Sequence, residues 1–358
     1  MCVSITEESQ PVKHPAELDQ VLALLRDQFH APELALAKAP RQLTGGFWAE
    51  LWLLSLTGNP NCDLPSTVVL RLAPDANLAA WEVTVQSGVA RQGYPTPRIH
   101  ASYMTPASGQ RAWYVMDFVA GSPLIGGLSG ARALRALPHL AKSLPDTLAR
   151  AAADLHRLDP VPIDAALRDI AGHTVGVDGL LERYRERADE LSNVPLQRTL
   201  ARLAATRPDL DLQVVCHGDL HPFNVLTNGD EWVVLDWTPS QVAHPAYDLA
   251  FTHLLLANPP LALPRPIRPL VNAVARRLAK RFLATYRALG PHPIDHDTFE
   301  WFRILQACRI MIDLASWQAD GTLQDRAGHP WLVIEPAIAP MFDTVEIKPP
   351  GRVTRPVR

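Results

Sequence analysis

Apolar residues recur at helical spacing over residues 16–29 (AELDQVLALLRDQF), which predicts a first helix. The period then shortens. Leu51–Leu56 and Val68–Ala73 are brief apolar runs that predict strands, parted by the turn-rich segment GNPNCDLP. Asn77–Arg91 returns to helical spacing, with Trp81, Val85 and Val89 on one side. Ile99–Tyr103 and Trp113–Phe118 predict two further strands, joined by a loop containing TPASGQ. Strand, strand, helix, strand, strand describes a small antiparallel sheet with one helix. Past Gly121 long helical stretches dominate, over 143–158, 176–192, 266–289 and 298–318, interrupted by one two-strand segment. The pattern predicts an α+β chain: a small mixed lobe over residues 1–120 and a larger helical lobe over 121–335. Residues 336–358 are rich in Pro and basic groups and are expected to form a loosely ordered tail.

Composition narrows the partners without naming one. The chain of 358 residues, 47% hydrophobic and 20% charged, has the make-up of an ordinary soluble protein with room for two cores. A net charge of −3 gives no field suited to nucleic acid or an anionic membrane, so neither is expected as a partner. Cys2, Cys62, Cys216 and Cys308 lie far apart with no C-x-x-C pair, which points away from a zinc site or a disulfide framework and toward a reducing cytoplasm. No apolar run reaches membrane-spanning length; the stretch near Leu249–Leu263 is broken by His253, Asn258, Pro259 and Pro260.

The chemistry is concentrated between Cys216 and Ala250. His217-Gly218-Asp219 is followed by Asn224, and the run Val233-Val234-Leu235 ends in Asp236. H-x-D-x-x-x-x-N is the spacing of a kinase catalytic loop, and Asp236 holds the place of its second, metal-binding aspartate. Phosphoryl transfer asks for an acceptor held in line and for cations on the phosphate oxygens. Asp219 is the candidate to orient the acceptor hydroxyl and take its proton. Asn224 and Asp236 are the candidates to give oxygen ligands to Mg²⁺, which prefers hard oxygen donors.

HGDLHPFN with a following LDW resembles the aminoglycoside phosphotransferase and choline kinase-like family. Ala243-His244-Pro245-Ala246-Tyr247-Asp248-Leu249-Ala250 resembles that family's G-x-P-x-x-D-L-A, with Ala243 in place of Gly, and Ala153–Pro160 resembles its helix ending in L-H-x-L-D-P. The resemblance covers roughly residues 40–255. It implies a bilobal protein-kinase-like fold, an ATP and Mg²⁺ requirement, a hydroxylated small molecule as acceptor, and Asp248 as a brace for the catalytic loop. Protein kinases differ: they carry Arg at Gly218 and Phe-Gly after Asp236, where Trp237 and Thr238 stand here, and no A-P-E follows.

The nucleotide would meet the small lobe. Thr44, Gly45 and Gly46, ahead of the first strand, can bring backbone N–H groups to phosphates. No lysine occurs between Lys38 and Lys142, so the phosphate-gripping cation expected on the strand VVLRLAP is Arg71. Glu82, the one acid on the following helix, is its expected partner. Tyr114–Gly121 resembles the family's hinge, which implies adenine contacts from the backbone at Asp117–Val119. On the substrate side, Arg309 and Asp313 are spaced for an i,i+4 salt bridge. The His292–Asp297 segment reads as an inter-helix loop capped by Asp297. The expected activity is ATP-dependent transfer of a phosphoryl group to an alcohol. The alternative is a nucleotide-binding regulatory protein without turnover, suggested by Arg71 in place of lysine.

Overall fold

A computed structural model describes residues 15–43, 49–58, 63–105, 111–125, 130–229, 231–260, 266, 268–326 and 328–343. Thr44, Gly45 and Gly46 lie outside the described residues. The chain divides into two compact units. The first comprises Met1–Leu140, Val161–Ile170 and His221–Ser240; the second comprises Ala141–Pro160, Ala171–Leu220 and Gln241–Arg358.

In chain order the elements are α1 (Leu18–Gln28), β1 (Ala35–Leu36), β2 (Arg41–Leu43), β3 (Glu50–Thr57), β4 (Thr67–Ala73), α2 (Ala76–Arg91), β5 (Ile99–Tyr103), β6 (Ala112–Asp117) and β7 (Ser122–Pro123). Then come α3 (Gly130–Leu155), α4 (Val161–Ile170), α5 (Gly176–Glu190), α6 (Val194–Ala205), β8 (Val214–Cys216), β9 (Val225–Asn228), β10 (Glu231–Val234) and β11 (Gln241–Ala243). The helices α7 (Ala246–Ala257), α8 (Arg268–Leu289), α9 (His296–Ala319), α10 (Pro330–Ile338) and α11 (Pro340–Asp343) complete the described chain. Residues 336–338 and 340–343 of the expected tail therefore belong to helices.

In the first unit β1, β3, β4, β6 and β5 form an antiparallel sheet in that order, with β2 on β3. Side chains alternate across β4. Val68, Leu70 and Leu72 enter a core with Trp52, Val115 and the α1 residues Val21 and Leu25. Register explains the set: Leu70 lies opposite Trp52 on β3 and Val115 on β6. Arg71 points to the other face and lies opposite Tyr114. That face receives α2, which Asp75 caps by accepting from the Asn77 and Leu78 amides. Gly88 on α2 is a packing glycine, because a Cβ there would meet Ile163 Cγ1 of α4 at 2.6 Å. β9 pairs with β10 and with β7.

In the second unit β8 pairs with β11, leaving the segment after Cys216 as a loop. Phe251 and Leu254 of α7 pack with Ala307, Ile310 and Leu314 of α9 and with Trp331 and Ile334 of α10. The α7 sequence, AYDLAFTHLLLA, shows no amphipathic stripe because Ala246–Thr252 are all buried. Sequence periodicity predicts no element there for that reason. The cap of α9 is Asp295, which accepts from the Thr298 amide, and not the expected Asp297 two residues later.

Candidate active site

Arg71 is the centre of a buried polar cluster in the first unit. Its Nη2 lies 3.1 Å from Glu82 Oε2, 3.4 Å from Asp236 Oδ1 and 3.3 Å from Thr238 Oγ1. Burial alone would pull the guanidinium's pKa down, but the fields of Glu82, Tyr114 and Asp236 push it up, so it stays charged. Burial pushes the Glu82 carboxyl up, and Arg71 draws it back. Arg71 Nε–H is buried with no hydrogen-bond partner among the described residues. A buried donor left open on a permanent cation suits an anionic oxygen. The expected Arg71–Glu82 pair is thus present. Tyr114 and Thr238 join it, although sequence alone gave them no role; their signal was the cross-strand register and the two-residue offset from Asp236.

Asp236 follows β10 and adopts a φ of 66°, the left-handed region that non-glycine residues seldom occupy. Its Oδ1 also accepts from Thr238 Oγ1 at 3.0 Å. Val225 pairs with Val234, and one step beyond, the Leu235 amide donates to the Asn224 carbonyl at 2.8 Å. The ladder therefore delivers Asn224 and Asp236 from the same end. Both can offer hard oxygen atoms, and Asp236 lies beside the charged Arg71, a donor set that fits Mg²⁺ carrying a polyphosphate. At the hinge, the Asp117 amide donates to the Arg98 carbonyl at 2.9 Å, and its carboxylate takes His100 Nε2 at 2.7 Å and the Arg98 amide at 3.0 Å. The Asp117 N–H is thereby used within the fold, while Val119 follows the strand's end.

Asp219 lies in the second unit, on the loop after β8. Gly218 before it has a φ of 77°, a conformation open to glycine without strain. Asp248, in the first turn of α7 and fully buried, holds this loop through its backbone. Its oxygens accept from the His217 amide at 2.8 Å and the Gly218 amide at 2.6 Å. His156 Nε2 reaches the same carboxylate at 3.2 Å, and its Nδ1 lies 2.7 Å from Tyr286 Oη on α8. Thr252 Oγ1 donates to the Leu220 carbonyl at 2.7 Å.

His156, Cys216 and Asp248 bring ligand-type atoms within 4.8 Å of one another. They are spent on the protein. The Asp248 oxygens already take three donors, and Cys216 Sγ contacts the Ala243 and His244 carbonyls at 3.7 Å each. Burial holds the Cys216 thiol far above its usual pKa, so no thiolate is on offer.

The Arg309–Asp313 salt bridge expected from spacing is replaced by other contacts. Arg309 donates to the Gly218 carbonyl at 2.6 Å and to Asp219 Oδ1 at 3.4 Å. Asp313 accepts from Trp331 Nε1 at 3.2 Å, and burial pushes its carboxyl up. An i,i+4 spacing shows only that two groups can meet; the loop after β8 offered Arg309 a nearer carboxylate.

A model of the phosphotransferase enzyme family matches residues 39–292. An aminoglycoside 3'-phosphotransferase of Streptomyces ribosidificus is 30% identical over 257 residues, covering 67% of this chain and 82% of that protein. A solved structure from Ralstonia eutropha, assigned to the aminoglycoside phosphotransferases, aligns with a TM-score of 0.59 at 20% identity, covering 91% of this chain and 96% of that one. A thermostable mutant of aminoglycoside phosphotransferase APH(4)-Ia, solved with ADP and hygromycin B, aligns with a TM-score of 0.54 at 16% identity, covering 89% and 98%. These likenesses show a kinase-like fold, with the antiparallel sheet N-terminal and the helices mostly C-terminal. Among the described residues no helix is long and apolar enough to cross a membrane.

Proposed function

The chain belongs to the phosphotransferase enzyme family and is a small-molecule phosphotransferase with an alcohol group as acceptor, and we propose that its phosphoryl donor is ATP carried with Mg²⁺. In this reading Asp219 orients the acceptor hydroxyl and takes its proton. Asn224 and Asp236 hold the metal, and Arg71, fixed by Glu82, grips the phosphates. Bound Mg²⁺ would supply charge neutralisation on the phosphate oxygens. Arg71 adds a second, permanent cation, paired with Glu82, whose buried Nε–H remains open. Val119 would present backbone groups to the adenine.

The observation that carries the reading is the Arg71 cluster: a buried, charged guanidinium between Glu82 and Asp236, with one donor unsatisfied. An open donor on a buried, charged guanidinium leaves a place for a phosphate oxygen. The acceptor is a hydroxylated small molecule. The aminoglycosides named for the relatives are the first compounds to try, followed by macrolides, amine alcohols, sugars and hydroxy acids.

The test is transfer of labelled γ-phosphate from ATP with Mg²⁺ to such a panel, with Asp219→Asn beside the parent protein. We expect a phosphorylated product from the parent. Asp219→Asn should lose kcat by about 10²–10⁴-fold, the usual worth of a positioned base, with nucleotide affinity nearly unchanged. Parent-level kcat in that variant, on an acceptor the parent phosphorylates, would end the assignment of Asp219.

A further inference from the structure

We propose that Arg309 is a positioning residue for the phosphoryl-transfer step, clamping the Gly218–Asp219 peptide and the Asp219 carboxylate; this rests on Asp219 being the base. Arg309 lies on α9, beyond the residues 39–292 that the family model matches. Its side chain is 16% exposed and is flanked along the chain by Cys308 and Ile310, both buried. An arginine here needs a reason, because burying a cation is costly unless it is paired.

Its partners supply the reason. One amino group donates to the Gly218 carbonyl at 2.6 Å, and the other reaches Asp219 Oδ1 at 3.4 Å. The guanidinium lies over the Phe251 ring, 4.8 Å from its centroid, which fixes its plane. Residue 218 is therefore held from both sides. Asp248 takes its N–H, and Arg309 takes its C=O. With a φ of 77° at Gly218, the next residue's direction is set by these two anchors. The second prong acts on the Asp219 side chain itself.

Three readings of Arg309 differ in what they require. A salt bridge within α9 would need Asp313, which instead accepts from Trp331. A solvated surface group would need exposure, which it lacks. A clamp needs a planar fork reaching a carbonyl and a carboxylate one residue apart, which is what the contacts provide. A carboxylate left to rotate would leave the reacting geometry for much of the time. Positional errors near 1 Å cost on the order of 10²-fold in rate.

The experiment uses the full chain with Mg²⁺, ATP and whichever acceptor, an aminoglycoside such as hygromycin B or water itself, the parent transfers the phosphoryl group to fastest. Arg309→Ala should lose kcat at least tenfold while KM for ATP moves less than twofold. Guanidinium ion at millimolar concentration should restore part of the lost kcat in Arg309→Ala and leave the parent unchanged, a rescue that repacking of α9 would not give. In an Asp219→Asn background, Arg309→Ala should cause no further loss, because Arg309 acts through Asp219. Parent-level kcat in Arg309→Ala beside an impaired Asp219→Asn overturns the clamp alone. Parent-level turnover in Asp219→Asn overturns both the clamp and the base assignment. Should Arg309→Ala fail to fold, Arg309→Lys decides: a folded lysine variant with reduced kcat and unchanged KM supports the fork, and one with the parent's kcat overturns it.

Discussion

Asp248→Asn changes one atom of a fully buried side chain and should be felt in both stability and rate. The carboxylate accepts three hydrogen bonds, from His217 N at 2.8 Å, Gly218 N at 2.6 Å and His156 Nε2 at 3.2 Å. An amide of the same shape keeps one oxygen. Whichever backbone amide that oxygen serves, the other faces an NH₂ group, donor against donor. Losing a bond to a charged acceptor costs about 1.5–3 kcal/mol, and stranding a buried donor costs about 1–3 kcal/mol more. A total of about 3–5 kcal/mol agrees with the usual cost of breaking one side of a buried ionic contact. That is a large share of the roughly 5–15 kcal/mol that holds a typical protein folded. With a urea dependence of about 2–3 kcal/mol per molar, the unfolding midpoint should fall by about 1–2.5 M. Tryptophan fluorescence is a suitable probe, since Trp301, Trp317 and Trp331 all sit in the second unit. In native buffer kcat should drop, because the His217–Gly218 backbone loses its anchor, while ATP binding stays near the parent value. A midpoint within about 0.3 M of the parent would refute the reasoning, since the arithmetic leaves no room for a neutral substitution.

Other expectations can be measured directly. Arg71→Ala should weaken ATP binding in calorimetry, and Glu82→Gln should do milder damage in the same direction. Their double mutant should fall short of the sum by about 0.5–3 kcal/mol, and strict additivity would mean that the two act independently. Burial lowers the pKa of His244 to about 4 from 6.5. A folded-state pKa below the unfolded one means that the unfolded chain takes the proton first. The stability contributed by neutral His244 is thus full above pH 6.5 and is lost as pH falls toward about 4. Urea midpoints recorded between pH 7 and pH 4 should decline less steeply in His244→Asn than in the parent, and identical slopes would count against the burial effect.

Much of the first unit was legible because its elements are half-buried and keep their period. Val68, Leu70 and Leu72 alternate with Arg71, and that alternation fixed both the strand and the face on which the cation stands. The motif spacing likewise singled out Asp219, Asn224 and Asp236. What escaped was set by tertiary contact. α7 is buried on every side, so it carries no stripe to read. β1 and β2 span two and three residues, too few to show a period. Local spacing gave Arg309 one partner, Asp313, and the approach of a loop some 90 residues earlier overrode it. Tyr286 gave no signal at all, because its role depends on an imidazole 130 residues away.

The division of the chain into interleaved segments bears on how this enzyme can be recombined. The first unit borrows His221–Ser240 from deep within the second unit's sequence. A gene cut once after β7 would separate Arg71 from Asp236 and Thr238, and would leave α4 on the wrong side of the joint from Gly88. Exchange of lobes between relatives by a single crossover would thus break a buried cation's pairing and a helix–helix seam together. Swaps that keep the enzyme intact must transplant three stretches at once.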